Sequence, residues 1–232
     1  LGPLAADLGW DPRGDDGERT PSLRSTVLRT LGTIGDDPGV KAEAARRFSE
    51  APSVALHPDT ESAVLDVVAS EGGVAEYEAF LSRYRNPSTP QEEIRYLYAL
   101  PSFTDPDLAR RTFDLALTEV RTQNAPFVLN SLVANREGGP AAWQRITEEW
   151  DALVAKFPAN ILPRMLDGVR VLCSPPELAD RVTEFVESHP LPAGGRTVEQ
   201  TLERLGVNVA FGEREGAGLA ATLTTALELP GR

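Results

Sequence analysis

The sequence predicts an all-α fold built as a stack of antiparallel helix pairs, and three observations carry that prediction. Short polar residues followed by proline recur as helix starts, chain breaks recur at a steady spacing, and the apolar residues between breaks keep a helical period.

The starts are Thr20-Pro21, Asp37-Pro38, Thr89-Pro90, Asp105-Pro106 and Ser174-Pro175. In each, the side-chain oxygen can accept from the exposed N–H groups of a first turn, and proline at the first helical position gives up no hydrogen bond. Thr89 with Glu92, Ser174 with Glu177 and Thr197 with Gln200 add the spacing of a capping box.

One series of breaks falls at Asp36-Asp37-Pro38, Gly72-Gly73, Asp105-Pro106, Gly138-Gly139 and Ser174-Pro175-Pro176, about 33 to 37 residues apart, the scale of a two-helix repeat. A second series interleaves with it at Pro52 to Pro58, Asn86 to Pro90, Arg121 to Pro126, Phe157 to Pro163 and Pro190 to Gly195. Two breaks per repeat imply two helices per repeat. The segment Leu31 to Pro38 resembles Leu100 to Pro106, and Val68 to Gly73 resembles Val133 to Gly139, which supports the same register.

Between breaks, Trp143, Ile146, Trp150, Leu153, Val154 and Phe157 form one apolar stripe, Leu178, Val182, Phe185 and Val186 a second, and Val198, Leu202, Leu205 and Val209 a third. Each is wide enough to need a neighbouring helix. No sustained two-residue alternation predicts a sheet. The expected architecture is a single helical-repeat domain over residues 1–232, with a lead-in segment at 1–19, about five helix pairs over 20–195 and closing helices over 196–232. Such an α-solenoid is similar to the superhelices of HEAT and armadillo repeats, where each pair covers the apolar face of the next. The polar stretch Asp11 to Glu18 reads as a solvated loop, because its carboxylates lack the spacing and terminal glutamate of a calcium loop. Leu219, Leu223 and Leu227 are expected to close the last repeat, although the glycines among them weaken that helix.

At 232 residues with 41% hydrophobic content, the chain can bury roughly 70% of its unfolded surface without disulfides or metal. Its apolar runs are too short to cross a membrane, so no membrane partner is expected. A formal charge of -12 argues against nucleic acid as a partner, since that affinity comes largely from Lys and Arg releasing counterions. The single cysteine, Cys173, follows the apolar run Val169 to Leu172 and reads as a small buried thiol in a reducing, cytoplasmic setting. Leu1 is not a methionine and no signal-peptide pattern follows it, so the sequence reads as a piece of a longer protein.

Catalytic chemistry finds little footing. The two histidines, His57 and His189, each precede proline and are far apart, whereas a His-Glu-x-x-His zinc motif needs two imidazoles one turn apart. They read as surface or capping residues. There is no Gly-x-Ser-x-Gly, and Cys173 has no histidine near it in sequence. The paired carboxylates Glu92-Glu93 and Glu148-Glu149 read as solvated helix faces. No catalytic residue, metal ligand or cofactor site is expected within the chain.

Several stretches nonetheless form a pattern as a set. These are Leu8-Gly9-Trp10 before a polar loop, Leu31 to Asp36 with Leu-Gly-x-x-Gly-Asp, Arg121-Thr122-Gln123-Asn124-Ala125-Pro126-Phe127, Trp143 to Asp151, and Phe185-x-x-x-His189-Pro190. In this order they resemble the C-terminal helical domain of the aminopeptidase N and puromycin-sensitive aminopeptidase family, zinc metallopeptidases of the gluzincin type. The resemblance implies a noncatalytic lid whose concave face closes over a zinc-dependent active site and helps to select peptides. It implies zinc in the intact protein, a catalytic domain of the same polypeptide as partner, and peptides as substrates. The family's zinc motif and its Gly-Ala-Met-Glu-Asn loop are absent from this chain. The family usually has aspartate where Asn124 stands; either residue can cap the helix that starts near Pro126. Arg121, Gln123 and Asn124 are the candidate substrate-binding residues, with the competing expectation that Arg121 and Gln123 brace neighbouring repeats. Trp143 and Trp150 are expected in the core. The alternative function is a free-standing helical scaffold that captures a partner protein in its groove.

Overall fold

The computed structural model describes residues 1–51 and 56–228, and no strand occurs among them. In chain order the helices are α1 (Gly2–Leu8), α2 (Thr20–Gly32), α3 (Pro38–Glu50), α4 (Pro58–Glu71), α5 (Val74–Arg85), α6 (Pro90–Ala99), α7 (Pro106–Thr118), α8 (Ala125–Val133), α9 (Gly139–Glu148), α10 (Trp150–Lys156), α11 (Leu162–Leu166), α12 (Pro176–Ser188) and α13 (Gly195–Glu228). Tighter 3₁₀ turns, Leu100–Ser102 and Asp167–Val171, extend α6 and α11. The all-α expectation holds. The break expected at Pro52 to Pro58 lies partly outside the described residues.

Three helix starts follow the capping chemistry read from sequence. Asp37 accepts from the Val40 N–H at 3.0 Å, Thr89 from the Glu92 N–H at 3.1 Å, and Asp105 from the Asp107 N–H at 2.8 Å. Glu92 reaches back to the N–H of Ser88 at 2.6 Å rather than to Thr89, so the reciprocal half of the box shifts by one residue. The other assignments slip. Helix α2 begins at Thr20 itself, with Arg19 in the capping position and no side-chain cap. At α12 the second proline, Pro176, takes the first helical position and leaves Pro175 as the cap, so Ser174 stands outside. Thr197 lies inside the first turn of α13, because the Gly194-Gly195 turn has already started the helix there.

The chain divides into two compact units, Leu1–Thr112 and Phe113 onward. In the first, α2 packs on α4 and α4 on α6, while α3 lies against α4 and α5 against α6. The centre is aromatic. Phe80 meets the rings of Phe48, Tyr96 and Phe103 at 5.2, 5.4 and 5.3 Å, the last two edge-on, an arrangement that adds to simple area burial. In the second unit α8 packs on α9 and α11, and α11, α12 and the Asp167–Val171 turn pack on α13. Val128, Leu129, Ile146, Leu162, Met165, Val169 and Val182 are fully buried there. Trp143 and Trp150 are core residues, 4% and 7% exposed, and present edges to Phe185 at 5.6 and 5.3 Å. Their stripe is interrupted at Glu149, whose backbone leaves helical geometry and divides the segment into α9 and α10.

The repeat register shows in the polar contacts. Arg29 with Asp66, Arg95 with Glu61, Tyr77 with Thr112 and Ser102 with Asp66 join residues 34 to 37 positions apart. One contact recurs as a unit. Arg47 lies 5.1 Å over the Trp10 ring and bonds both oxygens of Asp11. Arg111 lies 4.7 Å over Tyr77 and bonds Glu78 at 2.5 Å. Arg145 lies 4.2 Å over Phe113 and bonds Asp114 at 2.6 Å. Each is an arginine clamped onto an aromatic-acid dipeptide 31 to 36 residues earlier, combining a cation–π contact with an ion pair. Gly72 and Gly139 also repeat: a Cβ on either would lie 2.7 or 2.4 Å from the carbonyl oxygen of Val68 or Val133, so the chain folds back too tightly there for a side chain.

Residues 195–228 form one closing helix rather than several. Its first half buries Thr201 and Leu205, at 3% and 1% exposed, but Leu219 and Leu223 are 57% and 53% exposed. The expectation that they cover the last repeat is therefore incorrect; the side chain of Leu227 lies outside the described residues.

Candidate functional site

The three candidate binding residues occupy the turn between α7 and α8, within the second unit. Buried Val120 anchors the turn, its N–H donating to the Leu115 carbonyl at 3.1 Å. The Arg121 carbonyl then accepts from the N–H groups of Asn124 and Ala125 at 2.8 and 3.0 Å, and the Asn124 carbonyl accepts from Phe127 and Val128, which starts α8. Ala125, Pro126, Val128 and Leu129 turn into the core. That leaves Arg121, Thr122 and Gln123 exposed, Asn124 half-buried and the ring of Phe127 37% exposed.

Asn124 takes the capping position of α8, but its side chain makes no cap hydrogen bond. Its backbone is in the helical region at φ -101°, ψ -31°, rather than the extended geometry from which a cap side chain reaches the second and third N–H groups. The backbone bonds of Arg121 close its own turn. The surface thus offers a guanidinium, a carboxamide and an aromatic edge, groups able to hold a carboxylate or a peptide carbonyl. None is a general base.

Phe127 carries no role in the sequence reading, since an aromatic on an apolar helix signals core. Asn130, one turn further along α8, was also illegible: its buried Oδ1 has no hydrogen-bond partner, and both its oxygens crowd Gly168, where a Cβ would lie 2.4 Å from the Asn130 carbonyl. The other residues weighed for chemistry take structural places. His189 ends α12 and donates from Nδ1 to the Phe185 carbonyl at 2.9 Å, its ring stacked on Phe185 at 4.0 Å. His57 is exposed, with its carbonyl accepting from Glu61. Cys173 is half-buried rather than buried. Asp16 in the polar loop pairs with Arg24 at 2.8 Å. Among the described residues no group of three or more His, Cys, Asp or Glu is placed to hold a metal ion, and no helix is long and apolar enough to cross a membrane.

Residues 1–206, which take in the first unit and most of the second, match the ERAP1-like C-terminal domain. The chain belongs to this family. Among its relatives, Aminopeptidase M1-A of Oryza sativa subsp. japonica is 31% identical over 221 residues, covering 92% of this chain and 25% of that protein. Aminopeptidase M1 of Arabidopsis thaliana is 31% identical over 218 residues, 90% of this chain and 24% of its own length. Aminopeptidase 2 of Candida albicans is 23% identical over 221 residues, 92% and 24%. The chain thus spans about a quarter of the length of these curated relatives. Membership of the ERAP1-like C-terminal family agrees with the resemblance read from the five sequence stretches taken together.

Proposed function

We propose that this chain is the noncatalytic C-terminal helical domain of a zinc-dependent aminopeptidase, a single functional module that shapes the chamber in which N-terminal residues are cleaved from peptides. The observation that carries the reading is the family match over residues 1–206 together with relatives that are aminopeptidases. It favours this function over a free-standing scaffold. Among the described residues no three ligating side chains converge, and in this reading zinc is held by the rest of the polypeptide. Arg121, Gln123 and Asn124 are the substrate-facing residues in this reading, with Arg121 and Gln123 contacting the peptide away from its scissile end. A cytoplasmic location goes with this reading, since the chain's one cysteine, Cys173, is a free thiol.

The test compares the isolated chain with the longer gene product. The chain alone is expected to leave aminoacyl reporter substrates intact and to bind no zinc, while the longer product hydrolyses them and stops when a chelator is added. A gene encoding no metallopeptidase domain ahead of Leu1 would sink the proposal. Within an active product, Arg121→Ala with Gln123→Ala is expected to raise KM for peptides and leave kinetics on a single-residue reporter unchanged.

A further inference from the structure

Beyond Leu205 the outer part of α13 stands clear of its unit: residues 210–225 are all exposed, Leu219 and Leu223 by more than half. Gly212, Gly216, Leu219 and Leu223 share one face of this stretch, at intervals of four, three and four residues. From Gly216 to Thr225 no residue is charged. Glycine is among the poorest helix formers, and in the packed parts of the chain it has a steric reason. A Cβ at Gly32, Gly72, Gly139 or Gly168 would lie 2.4 to 2.7 Å from a neighbouring atom. At Gly212 and Gly216 it would meet nothing within 4 Å, so no packing inside the chain calls for two bare positions beside two exposed leucines. Gly206 and Gly218 are equally open but lie on other sides of the helix.

We infer that this face seats the same face of a second copy of the chain, as an antiparallel helix pair. The order of the four residues is self-complementary. A two-fold axis between Ala217 and Gly218 brings Leu219 of each copy onto Gly216 of the other, and Leu223 onto Gly212, so each leucine enters a gap that the opposite helix leaves open. The same register sets Glu213, Arg214 and Glu215 alongside Thr222, Ala221 and Ala220, where no like charges oppose, and it aligns the two helix dipoles head to tail. Parallel pairing would instead set leucine on leucine, glycine on glycine, and Glu213 and Glu215 each beside its own counterpart. The span from Val207 to Glu228 is roughly 33 Å long. A helix pair of that length buries on the order of 900 Å² in total, which belongs to the weak, reversible class of interface. A dissociation constant of roughly 100 μM fits that class, so the chain is monomeric at about 1 μM and pairs when concentrated. The inference is independent of the aminopeptidase reading.

The experiment uses the gene product that contains the chain, in a Cys173→Ser background. Gly212→Cys and Leu223→Cys are made separately, mixed at about 100 μM and oxidised, and disulfide-linked peptides are identified by mass spectrometry. The smaller side chain at 223 leaves room for the one added at 212. The expected result is a link from 212 to 223 in the mixture, at least tenfold more abundant than any 212–212 or 223–223 link in either preparation alone. Antiparallel register holds like positions roughly 16 Å apart along the helices, too far for a disulfide. Like-to-like links in the separate preparations would overturn the inference in favour of parallel pairing. So would a mixture without the 212–223 link, which would leave the face to the rest of the polypeptide. Sedimentation velocity gives a second reading without cysteines. Gly216→Leu adds apolar surface but fills the gap, so it is expected to weaken self-association at least tenfold. Association unchanged or strengthened by Gly216→Leu would reveal indiscriminate apolar contact and overturn the inference.

Discussion

The two units bury similar apolar cores but tie their helices together differently. In the first, charges cross between elements: Arg24 to Asp16, Arg29 to Asp66, Lys41 to Asp36 and Glu71, Arg47 to Asp11, Arg83 to Glu92, and Arg95 to Glu61. In the second, the pairs Arg136–Glu137, Arg170–Asp167 and Arg214–Glu215 stay within one helix or turn, and Arg145 to Asp114 links neighbours. Cohesion there comes from aliphatic packing and from Trp143, Trp150 and Phe185. One repeat plan thus tolerates two kinds of glue, and the two kinds respond to different perturbations.

The largest effects should come from the most buried member of each kind. Arg24 is 1% exposed, and Arg24→Ala removes the donor to the buried Leu8 carbonyl and the counter-ion of Asp16, which keeps only the Arg13 N–H, at a cost of about 3 kcal/mol. Leu129 in the second unit is fully buried, and Leu129→Ala is expected to cost a similar amount, about 3 kcal/mol, through the cavity it leaves. Hydrogen exchange resolved by segment separates them. Arg24→Ala should release α1 and α2, Leu129→Ala should release α8 and α11, and the reverse pattern would break the comparison.

Acid should act mainly on the first unit. Hydrogen bonds from Arg46, and then Arg47, outweigh burial and hold Glu43 down at about 2. The Arg47 bond lowers Asp11, and the Arg13 N–H and then Arg24 lower Asp16. Groups with depressed folded values stabilise above their ordinary range and lose that contribution as pH falls through the folded value. Burial raises Glu61 and Asp66 against the pull of Arg95 and Arg29; their contribution has the opposite sign, since protonation favours the fold. The more numerous depressed groups should prevail between pH 4.5 and about 2, so α2 and α3 are expected to lose exchange protection before α8 and α9 once intrinsic rates are corrected. Simultaneous loss in both units would refute this.

The arginine clamp is common to both units and so provides an internal control. Arg111→Ala and Arg145→Ala should each cost about 1 kcal/mol, the sum of a partly exposed cation–π contact and an exposed ion pair. Urea midpoints that differ by much more than that would show that the clamp depends on its surroundings. The clamp was not legible in the sequence, because an aromatic-acid dipeptide and an arginine some 31 to 36 residues later have no meaning until the repeats are stacked. Legible features were local ones: the caps at Asp37 and Thr89, the core stripe of Trp143 and Trp150, and the glycine breaks. Errors arose where two local solutions compete, as when Pro176 rather than Pro175 opened α12, or when Glu149 broke a continuous stripe. Arg121, Gln123 and Asn124 were correctly read as a turn, but the backbone angle that denies Asn124 its cap is set by the packing of Ala125 and Pro126.

The smallest effect should lie in α13, whose two halves repeat the comparison within a single helix. Positions 198, 201, 205, 209, 212, 216, 219 and 223 keep to one side of a 3.6-residue period, so the face that buries Leu205 continues through Gly212, Gly216, Leu219 and Leu223. Periodicity predicts the helix over both halves, but burial requires a neighbour, and Thr201 and Leu205 in the first half are buried whereas Leu219 and Leu223 in the second are exposed. Leu205→Ala should therefore destabilise by about 3 kcal/mol, whereas Leu219→Ala should change the urea midpoint by no more than about 0.5 kcal/mol equivalent. Gly216→Ala, where a Cβ would meet nothing within 4 Å, should raise far-ultraviolet helicity by improving local propensity without moving that midpoint. A large loss from Leu219→Ala in the isolated chain would mean that the outer half of α13 folds back onto the unit in solution.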